Sequence, residues 1–157
     1  GTIDVLVNNA GLTRDEMSMQ RIRRWVRENP KRMRELLNTN PNFVFFEERV
    51  GMGEADGPLG AQAVPLTPGA SVAVDRRYWK LGVPFVTEVT QDNPAMAFAR
   101  PVIAQDTGGA IRGVIRFDYF WGFGDIAGAQ AGRQKSRAHA WVLVPRGMKP
   151  SDIMTAR

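Results

Sequence analysis

Between residues 18 and 38 the apolar side chains recur every three or four positions, as one face of a helix requires. Met19, Ile22, Trp25 and Val26 form a first stripe behind Ser18, a residue suited to capping a helix N-terminus. Asn29-Pro30 opens a second short helix, because proline is tolerated at the first helical position. Met33, Leu36 and Leu37 supply its stripe, and Asn40-Pro41 closes it. From Phe43 onward the period changes. Segments 43–48, 71–75, 83–89, 101–105, 112–121 and 140–144 read as short strands, with Gly57-Pro58, Thr67-Pro68-Gly69, Gly82 and Gly108-Gly109 as breakers. Ahead of both zones, residues 3–7 read as a strand running into an Asn8-Asn9-Ala10-Gly11 turn. The pattern predicts a mainly β fold, a small barrel or sandwich, preceded by two short α-helices.

Composition narrows the chemistry. The 157 residues are 43% hydrophobic and 24% charged, which is the range of a globular chain. No apolar run approaches the ~18 residues of a membrane span, and no basic-then-apolar leader is recognised, so no membrane-spanning segment is expected in this chain. Cysteine is absent and His139 is the single histidine. Disulfides, thiol catalysis, thiolate or His-rich metal sites and histidine-based triads are therefore set aside. Acid–base work falls to carboxylates, Tyr or Lys, with no metal and no organic cofactor expected. The net charge of +5 favours polyanionic partners. Much of the basic charge falls between Arg14 and Leu37, where a solvated helical face also accounts for it. It lacks interleaved aromatics or a known module, so nucleic acid is not the expected partner.

Residues 104–122 carry the most chemistry. Strand alternation puts Ile115, Phe117, Tyr119 and Trp121 on a core-facing side, and Val114, Arg116, Asp118 and Phe120 on the other. A carboxylate beside apolar rings is desolvated toward the pKa of a usable general acid, and a nearby guanidinium opposes that. Asp118 is thus either such an acid or an exposed strand aspartate paired with Arg116. Asp106 precedes Thr107-Gly108-Gly109. These glycines would permit close backbone approach or positive φ, with amides aimed at developing charge. Otherwise they form a tight turn in which Asp106 accepts backbone hydrogen bonds. Asp75 closes an apolar strand ahead of Arg76-Arg77, where an ion pair or a strand-end cap is expected. Phe120 is the aromatic ring that alternation leaves on the outward side. Asp125, in a Gly-rich turn, reads as a helix N-cap.

Taken in order, several motifs resemble the membrane-bound lytic transglycosylase A family. They are Pro65-Leu66-Thr67-Pro68-Gly69, Ser71-Val72-Ala73-Val74-Asp75, Leu81-Gly82-Val83-Pro84 and Gln105-Asp106-Thr107-Gly108-Gly109-Ala110-Ile111-Arg112-Gly113. Phe117-Asp118-Tyr119-Phe120-Trp121-Gly122 and Gly124-Asp125-Ile126-Ala127-Gly128 continue the series. Met17-Ser18-Met19-Gln20 and Asn40-Pro41-Asn42-Phe43-Val44-Phe45-Phe46 resemble the segment that precedes this module there. The resemblance covers residues 16–147. It implies a six-stranded double-psi β-barrel, whole or incomplete, marked by three aspartates, Asp75, Asp106 and Asp118. The barrel domain would span 41–147, after a helical connector at 16–40 and before a tail at 148–157.

The resemblance also implies an activity: cleavage of the β-1,4 link between N-acetylmuramic acid and N-acetylglucosamine in peptidoglycan, without water, closing a 1,6-anhydro ring. Asp118 matches the family's catalytic aspartate, and Asp106 a second aspartate in the groove. Asp75, Thr107, Gly108, Gly109, Phe120 and Gln20 are the implied substrate-binding positions. Peptidoglycan glycan strands are the implied partner, a monomer the implied state, and the outer-membrane side of the bacterial periplasm the implied location. In the family the barrel is built from segments on both sides of an inserted domain. This chain is expected to hold the C-terminal part, with the first barrel segment, most of the inserted domain and a lipoprotein leader outside it. A non-catalytic glycan-binding or structural barrel fragment is the alternative.

Residues 1–15 resemble something else, the strand and Asn-Asn-Ala-Gly motif of short-chain dehydrogenase/reductases. No glycine-rich phosphate loop accompanies it, and Tyr78 and Lys80 are too close for that superfamily's Tyr-x-x-x-Lys pair. A reductase fusion remnant is therefore a distant alternative, and no nicotinamide site is expected.

Overall fold

The computed structural model describes residues 19–38, 53 and 57–155. The chain divides into two compact units, residues 1–51 and 52–157. The expected strand at 43–48, the Ser18 cap and residues 1–15 lie outside the described residues.

In the first unit, helix α1 (Met19–Glu28) leads through a 3-10 turn (Pro30–Arg32) into helix α2 (Met33–Asn38). The Trp25 carbonyl accepts both the Asn29 amide at 2.8 Å and the Asn29 side chain at 3.0 Å. Pro30 has no N–H to continue that ladder, so α1 ends there. Of the three apolar residues expected to face inward in α2, Leu36 is buried, while Met33 and Leu37 are exposed. Arg32 forks onto the Glu35 carboxylate at 2.8 and 2.9 Å and lies over the Trp25 ring.

The second unit is built on one mixed sheet. Its strands are β1 (Ser71–Ala73), β2 (Pro84–Gln91), β3 (Met96–Asp106), β4 (Asp118–Tyr119) and β5 (Arg137–Val142), in the order β4-β1-β3-β2-β5. β1 runs parallel to β3, and the other neighbours are antiparallel. The sheet is open among the described residues: β4 and β5 are its edges, not partners as barrel closure would need. Helix α3 (Gly124–Arg133) connects β4 to β5, and helix α4 (Pro150–Ile153) follows.

Alternation along β2 decides which of its faces meets the core. Phe85, Thr87 and Val89 are buried, and their neighbours are not. Phe85 joins Val72, Val74, Val83, Val102, Ala104 and Ile153 in the core, edge-on to Trp79 at 5.0 Å and to Phe117 at 5.2 Å. Thr87 is polar yet buried because its hydroxyl bonds the Arg100 carbonyl at 3.2 Å and the Tyr119 hydroxyl. Ile153 draws α4 onto this core, so the segment expected to be a tail is partly docked.

Three expectations are corrected. The strand read at 101–105 is the end of a longer β3, which pairs with β2 over Met96–Ile103 and with β1 at its C-terminal end. The strand read at 112–121 reduces to Asp118–Tyr119, because Gly113 adopts φ +117° and turns the chain. Ile115, expected in the core, is consequently 61% exposed. Asp125 is not the N-cap of α3; Phe123 holds that position, and Asp125 lies in the first turn, where its charge complements the helix dipole.

Phe85 is the largest fully buried side chain. Truncation to alanine should cost about 3–5 kcal/mol, read as a lower urea midpoint at unchanged slope.

Candidate active site

The site is organised around Ala73. In the sheet register Ala73 lies opposite Asp118 of β4 on one side and opposite Asp106 of β3 on the other. The second pairing depends on an irregularity: Val72 faces Ala104, but Ala73 faces Asp106, leaving Gln105 as an extra residue. Without that bulge the register would put Gln105 opposite Ala73 and turn Asp106 to the other face. The two aspartates are separated by two strand spacings, roughly 10 Å between backbones. Both line a cavity of about 230 Å³ together with Ser71, Thr107, Ile111 and Phe120.

Asp106 is held on both its side chain and its backbone. Its Oδ1 accepts the Ala61 amide at 3.0 Å, and its carbonyl accepts the Val74 amide at 3.0 Å. The Thr107 hydroxyl donates to the Val74 carbonyl at 3.1 Å, so the ends of β1 and β3 are stapled together. Gly108 and Gly109 follow, both exposed and neither at positive φ, which corrects one of the two roles expected for them. A Cβ on Gly108 would meet the Ile111 side chain at 3.2 Å, whereas Gly109 faces open space. The Ile111 amide donates to the Gly108 carbonyl at 3.0 Å, so the glycines lie in the tight turn of the alternative reading.

Asp118 fits the exposed alternative, a strand aspartate beside Arg116. Its side chain is 57% exposed, so Phe120 does not desolvate it, and Oδ1 lies 3.5 Å from Arg116 Nη2. An ion pair this long and this exposed contributes little to stability and leaves the carboxylate open to a ligand. Phe120 is half-buried, lines the cavity and meets Phe123 edge-on at 5.4 Å. On the far side of Asp118 a second cavity, about 420 Å³, is bordered by Arg116, Gln134, Lys135 and Ser136.

Asp75 lies elsewhere. It is 2% exposed and does not border the cavity shared by the other two aspartates. Its carboxylate accepts the Arg77 guanidinium at 2.6–3.1 Å and the amides of Arg77 at 3.0 Å and Gly113 at 2.8 Å. The Arg77 guanidinium above all, helped by the Gly113 and Arg77 amides, holds this carboxyl well below the usual carboxylate range despite its burial. A carboxylate so fully engaged is a positioning group and not a substrate contact. Gln20, the remaining candidate, belongs to α1 in the first unit.

Residue-type reasoning missed Ser71 and Ala61. The Ser71 hydroxyl donates to Gln105 Oε1 at 2.5 Å and accepts the Thr67 amide at 2.7 Å, fixing the bulge residue. Nothing about a lone serine or alanine marks such roles. Among the described residues no three His, Asp or Glu side chains gather as a metal site would need.

Comparison with known proteins follows the same division. A 3D domain matches residues 70–144, and an MltA specific insert domain matches residues 3–47. Membrane-bound lytic murein transglycosylase A of Vibrio cholerae is 36% identical over 146 residues, covering 88% of this chain and 38% of the relative. The Escherichia coli K12 protein of that name is 38% identical with the same coverage. The crystal structure of MltA from Neisseria gonorrhoeae superposes with a TM-score of 0.78 at 41% identity, covering 95% of this chain and 38% of that one. E. coli MltA with bound chitohexaose gives 0.73 at 35% identity, covering 90% of this chain and 43% of that one.

The chain belongs to the MltA family.

It spans about two fifths of the length of these relatives. The insert-domain match begins at residue 3, so most of the segment 1–15 lies inside this family's own pattern. The dehydrogenase resemblance of that segment has no support. No described helix is long and apolar enough to cross a membrane, although the relatives are named membrane-bound.

The Asp75 linkage predicts a pH dependence. A carboxyl whose folded pKa is depressed stabilises the fold above its ordinary value, about 3.9, and that contribution drains away as pH falls below it. Asp75→Asn should lower the neutral-pH Tm by on the order of 10 °C. The gap between variant and wild type should narrow between pH 5 and pH 2 in a thermal melt series.

Proposed function

We propose that this chain carries the acid–base face of a peptidoglycan lytic transglycosylase. The observation that supports it most is the pair Asp106 and Asp118 bordering one cavity across Ala73, in a chain of the MltA family. A hydrolytic glycosidase needs one carboxyl to protonate the leaving oxygen and a second to activate water or attack carbon. An intramolecular acceptor removes the second requirement. Asp118, as the acid, protonates the glycosidic oxygen while the C1–O bond breaks and positive charge develops on the muramic ring. The C6 hydroxyl then attacks C1, and the Asp118 carboxylate takes its proton, closing the 1,6-anhydro ring and restoring the acid. The exposure of Asp118 suits both transfers, since each partner is on the sugar.

Asp106, fixed by the Ala61 amide, contributes negative charge opposite the developing oxocarbenium. Gly108 and Gly109 admit the glycan close to the backbone, and Phe120 offers a ring face at the cavity wall. The chitohexaose held by the E. coli relative is a β-1,4 chain of amino sugars, the same linkage chemistry. In this reading the open sheet is part of a six-stranded double-psi barrel completed from outside the described residues. Gln20 is a further substrate-binding position, and the enzyme works as a monomer in the periplasm, associated with the outer membrane.

A glycan-binding module without turnover is the second reading, favoured by the exposure of Asp118, whose carboxylate is not desolvated by Phe120. Digestion of peptidoglycan sacculi, with products weighed by mass spectrometry, separates the two. The full-length protein should release anhydromuramoyl ends; ends 18 Da heavier would mean hydrolysis. Asp118→Asn should reduce turnover at least ~100-fold. Its Tm should stay unchanged because the side chain is exposed. Retained turnover would shift the acid role to Asp106.

A further inference from the structure

The second cavity beside Asp118 differs in character from the first. Its rim carries two cations, Arg116 and Lys135, against the single carboxylate of Asp118. Arg137 stands next along the same edge, where it borders a neighbouring cavity with Lys135 and Asp92. The rim is braced. Gln91 Oε1 accepts the Lys135 amide at 2.6 Å and the Ser136 hydroxyl at 2.9 Å, while Gln91 Nε2 donates to the Arg133 carbonyl at 3.0 Å. Gln134 Oε1 accepts the Trp121 indole N–H at 2.7 Å. The backbone that carries Lys135 is thus set by Gln91 of β2, with Trp121 holding the neighbouring Gln134 side chain, and the lysine itself is exposed.

A neutral sugar gains nothing from surplus positive charge at its subsite, whereas a ligand branch bearing carboxylates does. We propose that this cavity is a subsite for a carboxylate-bearing branch of the glycan, and that Lys135 reads its charge. The proposal rests on the transglycosylase reading of the Asp118 side. In murein that chemistry belongs to the peptide carried by the lactyl ether of the muramic residue. Because Arg116 is shared with Asp118 at 3.5 Å, the discrimination between charged and neutral branches falls to Lys135.

The test compares two substrates that differ only in charge: murein strands with free peptide carboxylates, and the same strands after carbodiimide amidation. The full-length protein should favour the free-carboxylate strands in kcat/KM by about three- to fivefold, the range of one exposed charge pair. Lys135→Met should bring that ratio close to one, and Lys135→Arg should keep it. A ratio of one in the wild type, or an undiminished ratio in Lys135→Met, would overturn the subsite while leaving turnover intact. Turnover of neither substrate would overturn the transglycosylase reading, and the subsite with it.

Discussion

The carboxylate of Asp75, buried at the exit of β1, accepts the Arg77 guanidinium and the amides of Arg77 and Gly113. The Gly113 bond matters most for the site. Gly113 lies midway along the connection from Asp106 to Asp118, and it is pulled to the end of the strand that separates them. The chain turns there at φ +117°, a conformation natural to glycine, and returns to pair Asp118 with Ala73. Trp79 reinforces the tether by donating its indole N–H to the Val114 carbonyl at 2.7 Å. Removing the Asp75 charge would leave the Gly113 and Arg77 amides without their anionic acceptor, a cost that falls on the loop the site is built from.

The remaining supports act on β3. The Gln105 bulge, locked by Ser71, turns Asp106 toward Ala73, and the Ala61 amide fixes its carboxylate. Two carboxylates on strands of one sheet, with β1 between them, are held more firmly than two on mobile loops, as the proposed acid–base role needs. The division of labour is clear: one aspartate holds the frame, one is fixed within the groove, and one is left accessible to a ligand. Their burial separates the roles, since Asp75 is enclosed and Asp118 is open.

Some of this was legible in the residues. The alternation at 83–89 located β2, which is paired along both edges, and the ordered motifs from Pro65 to Gly128 pointed to the family and to the aspartates. Other features had no local signal. Alternation over 112–121 is blind to one glycine at positive φ, so the strand was read too long and Ile115 was placed in the core. A bulge is set by register between strands distant in sequence, and no residue type announces Gln105 as the extra one. The exposure of Asp118 depends on which segments pack over it, not on Phe120 beside it. Residues 1–15 were misattributed because a short apolar strand and an Asn-Gly turn recur in unrelated folds.

The most direct test of this account is the exchange rate of the Gly113 amide proton, followed by NMR in the native protein. If Asp75 holds the loop, that amide should exchange as slowly as the Val74 amide, which is bonded within the same strand ends. Exchange as fast as that of the exposed Gly109 amide would contradict the claim that one buried carboxylate sets the geometry of the two aspartates.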